Sequence, residues 1–234
     1  MIDLGSAKFL IKIPAISEEQ LEAYSTELFE SWERFAEDLI AVPDYSLYLE
    51  VEEGSVKGIG KISAFLYALY LGIGQYDGFV SGVKTISSQI QASSEFLVKN
   101  AVAPFSEQFP DSRCRKSSGQ LGRLERLLRK VQAGSITPEE AAAKAEGIFK
   151  EDAEDCPEFM DTMKHAFLGT PPAPEQLDLD MDMQLGDTQT NLIVSTPRLP
   201  SEERPSLPPK EKYRVEIWRR SKSGRREIKR SKRR

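Results

Sequence analysis

Few residues in this 234-residue chain could carry covalent chemistry. His165 is the one histidine, and Cys114 and Cys156 are the two cysteines. With one histidine and no G-x-S-x-G motif, no serine-type triad is visible. Cys114 stands among Arg113, Arg115 and Lys116, cations expected to lower its thiol pKa, yet no base is near it in sequence. Two cysteines without a C-x-x-C do not make a structural zinc site. The glycines of 54–60 and 72–78 are not followed by G-K-[ST], so no phosphate-cradling loop is present. In LDLDMDMQLGD, Asp178, Asp180 and Asp182 have the first three ligand spacings of a calcium loop. Met183 and Gln189 then stand where glycine and glutamate are needed. That run reads better as a solvated acidic stretch or a peptide that adds to a sheet edge. A non-enzymatic protein is expected, with no cofactor and no metal.

Charge offers more. Residues 210–234 hold 13 Lys/Arg against 3 Glu, or +10, and subtracting this from the total of −5 leaves −15 for residues 1–209. A basic tail on an acidic body suits an anionic partner, or folds back on the body. The first reading assigns polyanion binding to Trp218, Arg219, Arg220, Arg225, Arg226, Lys229, Arg230, Lys232, Arg233 and Arg234. These cations, with Tyr213 and Trp218 interleaved, would supply phosphate contacts and a stacking surface for nucleic acid. Arg123, Arg126 and Lys130, following Arg113, Arg115 and Lys116, form a second basic stripe. The acidic helices after it can match that stripe internally.

The third candidate is LYLGIGQYDGFVSG, where Gly74, Gly78 and Gly82 recur every four residues and no Lys or Arg occurs from Ile62 to Val83. On one helix, bare glycines at this spacing let another backbone come close. Leu69, Ile73, Tyr76, Val80 and Val83 step 4-3-4-3, a narrow seam for one partner helix. The expected docking element is therefore a helix over 62–90 with Leu69, Ile73, Gly74, Gly78, Val80, Gly82 and Val83 as its seam. The alternative is a membrane-active effector inserting residues 62–83, against which Asp77 costs roughly 2.5–3.5 kcal/mol.

These groups need elements to position them. KFLIKI (8–13) reads as a strand ended by Pro14. Ser17 and Gln20 form a capping box, and Leu21, Tyr24, Leu28, Trp32, Phe35 and Leu39 give helix 18–41 one apolar stripe. Leu47, Leu49 and Val51 alternate with polar residues as a half-buried strand, and Val56 to Ile59 returns after a turn. Residues 100–120 read as a loop. Leu121, Leu124, Leu128 and Val131 mark a helix closed by Gly134. Thr137-Pro138 opens a second helix, and 156–168 is a third. Composition makes 170–209 a disordered linker. In the tail, Tyr213, Val215 and Ile217 alternate, and Ser-Lys-Ser-Gly can turn a hairpin.

KIPAISEEQLEAY followed by SLYLEVEEGSVK resembles the small β-α-β-β modules at the ends of bacterial conflict and signalling proteins, near TIR or NTPase domains. The resemblance covers about residues 8–60 and implies an adaptor that pairs with like modules; it transfers no site residues. The expected fold is α+β and helix-rich. It comprises a β-α-β-β-α unit (1–103), a helical unit (118–169), a linker (170–209) and a basic arm (210–234). The expected function is an adaptor that self-associates or docks a protein partner through 62–90 and holds nucleic acid through its arm. Without a secretory signal, reduced thiols and a cytoplasmic location are expected.

Overall fold

Alternation of buried and outward side chains organises the chain around a sheet. A computed structural model describes residues 1–13, 16–53, 56–105, 112–170 and 212–233. Its strands are β1 (Ile2–Ile11), β2 (Ser46–Glu52), β3 (Val56–Ala64), β4 (Ser112–Ser117), β5 (Lys212–Arg219) and β6 (Arg226–Arg233). Its helices are α1 (Glu18–Leu39), α2 (Leu66–Ile73), α3 (Phe79–Val102), α4 (Gly119–Gln132), α5 (Pro138–Phe149) and α6 (Pro157–Leu168). The fold is thus mixed helix and sheet, as expected. The strands form one sheet in the order β4-β1-β3-β2-β5-β6, with every neighbouring pair antiparallel. The first four strands follow the split β-α-β order, and β5 and β6 extend that sheet past β2.

One face of the sheet is covered by helices. Leu47, Leu49 and Val51 of β2, Phe9 and Ile11 of β1, and Val215 and Ile217 of β5 are all buried there. Helix α1 lies over β2 and β5, while α3 and α4 lie over β1. Trp32 of α1 donates its indole N–H to Ser93 Oγ of α3 at 3.0 Å, and Tyr24 OH donates to the Ala101 carbonyl at 2.8 Å. Satisfied polar groups of this kind fix how two buried helices meet. Ser17 and Gln20 make the capping box that starts α1. Thr137 caps α5, and α5 and α6 pack outside α3 and α4 through Phe149, Phe159 and Phe79. The outward residues of β1, β2 and β3 are all exposed or half-buried, and among the described residues no helix covers this second, open face.

The structure corrects the sequence reading in four places. The first is the helix over 62–90. Ile62–Ala64 ends β3, α2 covers 66–73, and α3 begins only at Phe79. Gly74 is the C-cap of α2, and Gly78, at φ +88, lies in a conformation that favours glycine and stops helix propagation. Of the three glycines only Gly82 permits a close approach. A Cβ there would sit 2.6 Å from the Ile73 carbonyl oxygen, so the bare edge receives the chain's own α2. Leu69, Ile73 and Val83 are buried in the core and Val80 packs partly against it, so this seam is not free for a partner. Among the described residues no helix is long and apolar enough to cross a membrane.

The second correction concerns the arm. Residues 212–233 are a hairpin, and β5 pairs with β2 from Leu47↔Arg219 to Glu52↔Arg214, so it completes the sheet rather than hanging from it. Third, SRCRKS, placed in a loop, is the edge strand β4. Fourth, Cys114 lies opposite Phe9, and burial raises its thiol pKa more than Lys116 lowers it. Except for Thr170, the 170–209 linker with its aspartates lies outside the described residues.

Candidate polyanion-binding face

The C-terminal cations assigned to a polyanion are largely engaged by the protein itself. Glu30, Glu33 and Glu37 of α1 are spaced three and four apart, which puts them on one side of the helix. That side meets β5 and β6. Arg219, only 4% exposed, bonds Glu37 and lies 3.1 Å from Glu33. Arg226 donates to Glu30 and Glu33, both at 2.7 Å, and Arg230 bonds Glu22. Phe29 and Tyr45 lie beneath Arg226 and Arg219 with ring centroids 5.6 and 5.8 Å from the guanidinium carbons. Arg220 pairs with Glu227 at 3.5 Å and Lys229 with Glu216 at 4.0 Å. Lys232 lies 4.9 Å from the Tyr213 ring centroid. Arg225 is exposed and pairs with no acid among the described residues. Arg233 ends β6, and Arg234 lies outside the described residues. Self-neutralisation therefore accounts for most of this set, and of it Trp218 and Lys229 face the surface below.

That surface is the open face. The strand registers align Ser117, Ser6, Lys61, Tyr48, Trp218 and Glu227 in one row across the sheet. The next row is Arg115, Lys8, Ile59, Glu50, Glu216 and Lys229, and the third is Arg113, Leu10, Lys57, Glu52, Arg214 and Ser231. Charge is segregated across these rows. On β2, β5 and β6 the acids are matched: Arg214 lies 3.3 Å from Glu50 and 3.9 Å from Glu52, and Lys229 faces Glu216. Tyr48 OH lies 2.9 Å from Glu50 and 2.8 Å from Glu216. Burial, with those two carboxylates as hydrogen-bond acceptors, holds its phenol far above the ordinary value.

On β4, β1 and β3 the balance is different. Lys8, Lys57, Arg113 and Arg115 form no ion pair among the described residues, and all four are exposed. Lys61 lies beside them with its ammonium 5.8 Å from the Tyr48 ring centroid. With strands about 4.8 Å apart and residues about 3.3 Å apart, the five cations cover roughly 10 Å by 13 Å. A shallow groove of about 290 Å³ runs between them, bordered by the half-buried Leu10 and Ile59. Its chemistry is that of an anion-binding strip: ammonium and guanidinium donors at the rim, and apolar stems and side chains on the floor.

No single segment contains this strip. Lys8, Lys57 and Lys61 are isolated in sequence, and only the register places them beside Arg113 and Arg115. The available signal was parity: Lys57 and Lys61, like Arg113 and Arg115, are separated by even numbers of residues, hence on one face of a strand. Among the described residues the histidine and the two cysteines are not brought together in the same way. His165 and Cys156 are separated by nine residues, roughly 13 Å along the helix axis, and Cys114 is on β4. No group of three or more His, Cys, Asp or Glu among the described residues could hold a metal ion. No protein family, curated protein or solved structure matches the chain.

Proposed function

We propose that this protein is a non-enzymatic binding module that holds single-stranded nucleic acid on the open face of its sheet. The observation that supports the reading is the set of four exposed cations, Lys8, Lys57, Arg113 and Arg115, that have no ion-pair partner among the described residues and lie on three adjacent strands. Their neighbours suit a single strand: phosphates meet the cations, while sugars and bases lie on Leu10, Ile59 and the row of Tyr48 and Trp218. An adaptor role is also what the resemblance of residues 8–60 to β-α-β-β modules implies.

The test is fluorescence anisotropy with a labelled 12-nucleotide DNA or RNA at several salt concentrations. Four neutralised phosphates give a log–log slope near −3, or about 50-fold weaker binding between 50 and 200 mM salt. Absence of binding at 50 mM salt, or affinity indifferent to salt, overturns the reading.

A further inference from the structure

A second surface, separate from the sheet face, lies on α2. The helix buries Leu66, Ala68, Leu69 and Ile73, but Tyr67 and Leu71, one turn apart on its other side, are 59% and 45% exposed. Phe65, just before the helix, is 57% exposed. Three large apolar side chains thus stand out of one eight-residue helix and its cap. Leu71 forms a ridge between two grooves. One, of about 450 Å³, runs past Pro43, Phe65 and Tyr67 to Asp44, Asp152 and Asp155. The other, of about 410 Å³, runs past Tyr70, Tyr76 and Phe79. Among the described residues no lysine or arginine lines either groove. Since the Met1 amino group pairs with Asp152 at 2.8 Å, Asp44 and Asp155 are the rim acids without an ion pair there.

We propose that this ridge docks an apolar segment of another protein flanked by Lys or Arg. Charge selects that occupant from the alternatives. A second copy related by a two-fold axis would set Asp44 and Asp155 against their own equivalents. Residues 171–211 of this chain hold eight Asp/Glu against three Lys/Arg, the same sign as the groove rim. The basic hairpin is committed to the sheet and α1. An anionic membrane is repelled by the same two aspartates. Exposed aromatic and aliphatic anchors within an acidic rim fit a basic amphipathic helix lying along α2.

The probe is a labelled 18-residue helical peptide with leucines at i, i+3, i+4 and i+7 and lysines elsewhere, compared with a twin carrying glutamate for lysine. The lysine peptide is expected to bind at least about tenfold more tightly than the glutamate twin. Tyr67→Ser with Leu71→Ser should weaken binding about tenfold, with an unchanged circular dichroism spectrum because both positions are exposed. Asp155→Lys should shrink the preference for the lysine peptide while leaving apolar contact in place. Lys8→Glu with Arg115→Glu should leave peptide binding unchanged, which separates this surface from the sheet face. The proposal is overturned if neither peptide binds, if the glutamate twin binds as well, or if the double serine variant binds normally. It is equally overturned if the double serine variant abolishes a dimer or binding to neutral phosphatidylcholine vesicles seen for the unmodified chain.

Discussion

Arg226 of β6 and Glu33 of α1, 193 residues apart in sequence, meet at 2.7 Å. With Arg219 and Arg230 bonded to the same helix, this contact fixes the last two strands to the first helix. The basic C-terminus is therefore part of the folded body, and its high charge is partly an answer to the glutamates of α1. The cations of β6 and β4 also lie on the two outer strands, where charge discourages pairing with a further strand.

Arg219→Ala is expected to be costly. Arg219 is almost fully buried, and its removal leaves Glu37 without that partner and Glu33 with Arg226 alone. Because Glu33 keeps one partner, the loss should be about 2–3 kcal/mol, below the range for a fully broken buried pair. Arg225→Ala, at an exposed position that pairs with no acid among the described residues, should change stability by less than about 0.5 kcal/mol. Urea unfolding of the two variants checks this. Equal midpoints would show that the hairpin does not depend on α1.

The three glycines of 74–82 should rank by what surrounds them. Gly82→Ala drives a Cβ against the Ile73 backbone and should cost about 1–3 kcal/mol. Gly78→Ala meets no atom within 4 Å but must hold φ +88 with ψ 154, a region almost reserved for glycine, costing roughly 1–3 kcal/mol. Gly74→Ala, in right-handed helical conformation with only ordinary contacts, should be near neutral. Thermal unfolding gives the order. A uniform loss at all three would instead fit one continuous helix with a packed glycine face.

Glu95 of α3 should titrate below an ordinary glutamate, because Lys116 of β4 and, to a lesser degree, Gln91 hydrogen-bond its carboxylate. A lowered folded-state pKa means that this pair stabilises the fold fully above the ordinary carboxylate value. The contribution is lost as pH falls through the lowered value. The carboxyl carbon shift of Glu95, followed by NMR, should show the low midpoint. Lys116→Met should raise it, though not fully, since Gln91 remains. An unchanged midpoint in that variant contradicts the pairing.

Local signals read correctly wherever neighbours in sequence decide the structure. Ser17 and Gln20 start α1, and Leu47, Leu49 and Val51 face the core, because a cap and a period of two need nothing distant. Gly78 defeated the long helix: its four-residue spacing from Gly74 and Gly82 matches a helical face, but its backbone is turned at φ +88. Strand β4 escaped because SRCRKS has no apolar alternation, its register with β1 alone making it a strand. The sheet face was illegible for a related reason. Lys8, Lys57 and Arg115 become neighbours only once β1 lies between β4 and β3, an order that no local pattern announces.

The proposed site for a polyanion is tested most directly by moving charge on one surface at a time. Lys8→Glu with Arg115→Glu should weaken binding of a 12-nucleotide single strand by at least about tenfold at 50 mM salt. Arg225→Glu, at the turn of the hairpin, should leave affinity within about twofold. The opposite pattern, with the sheet variant binding normally and the hairpin variant losing the oligonucleotide, would contradict the assignment and return the binding site to the C-terminal cations.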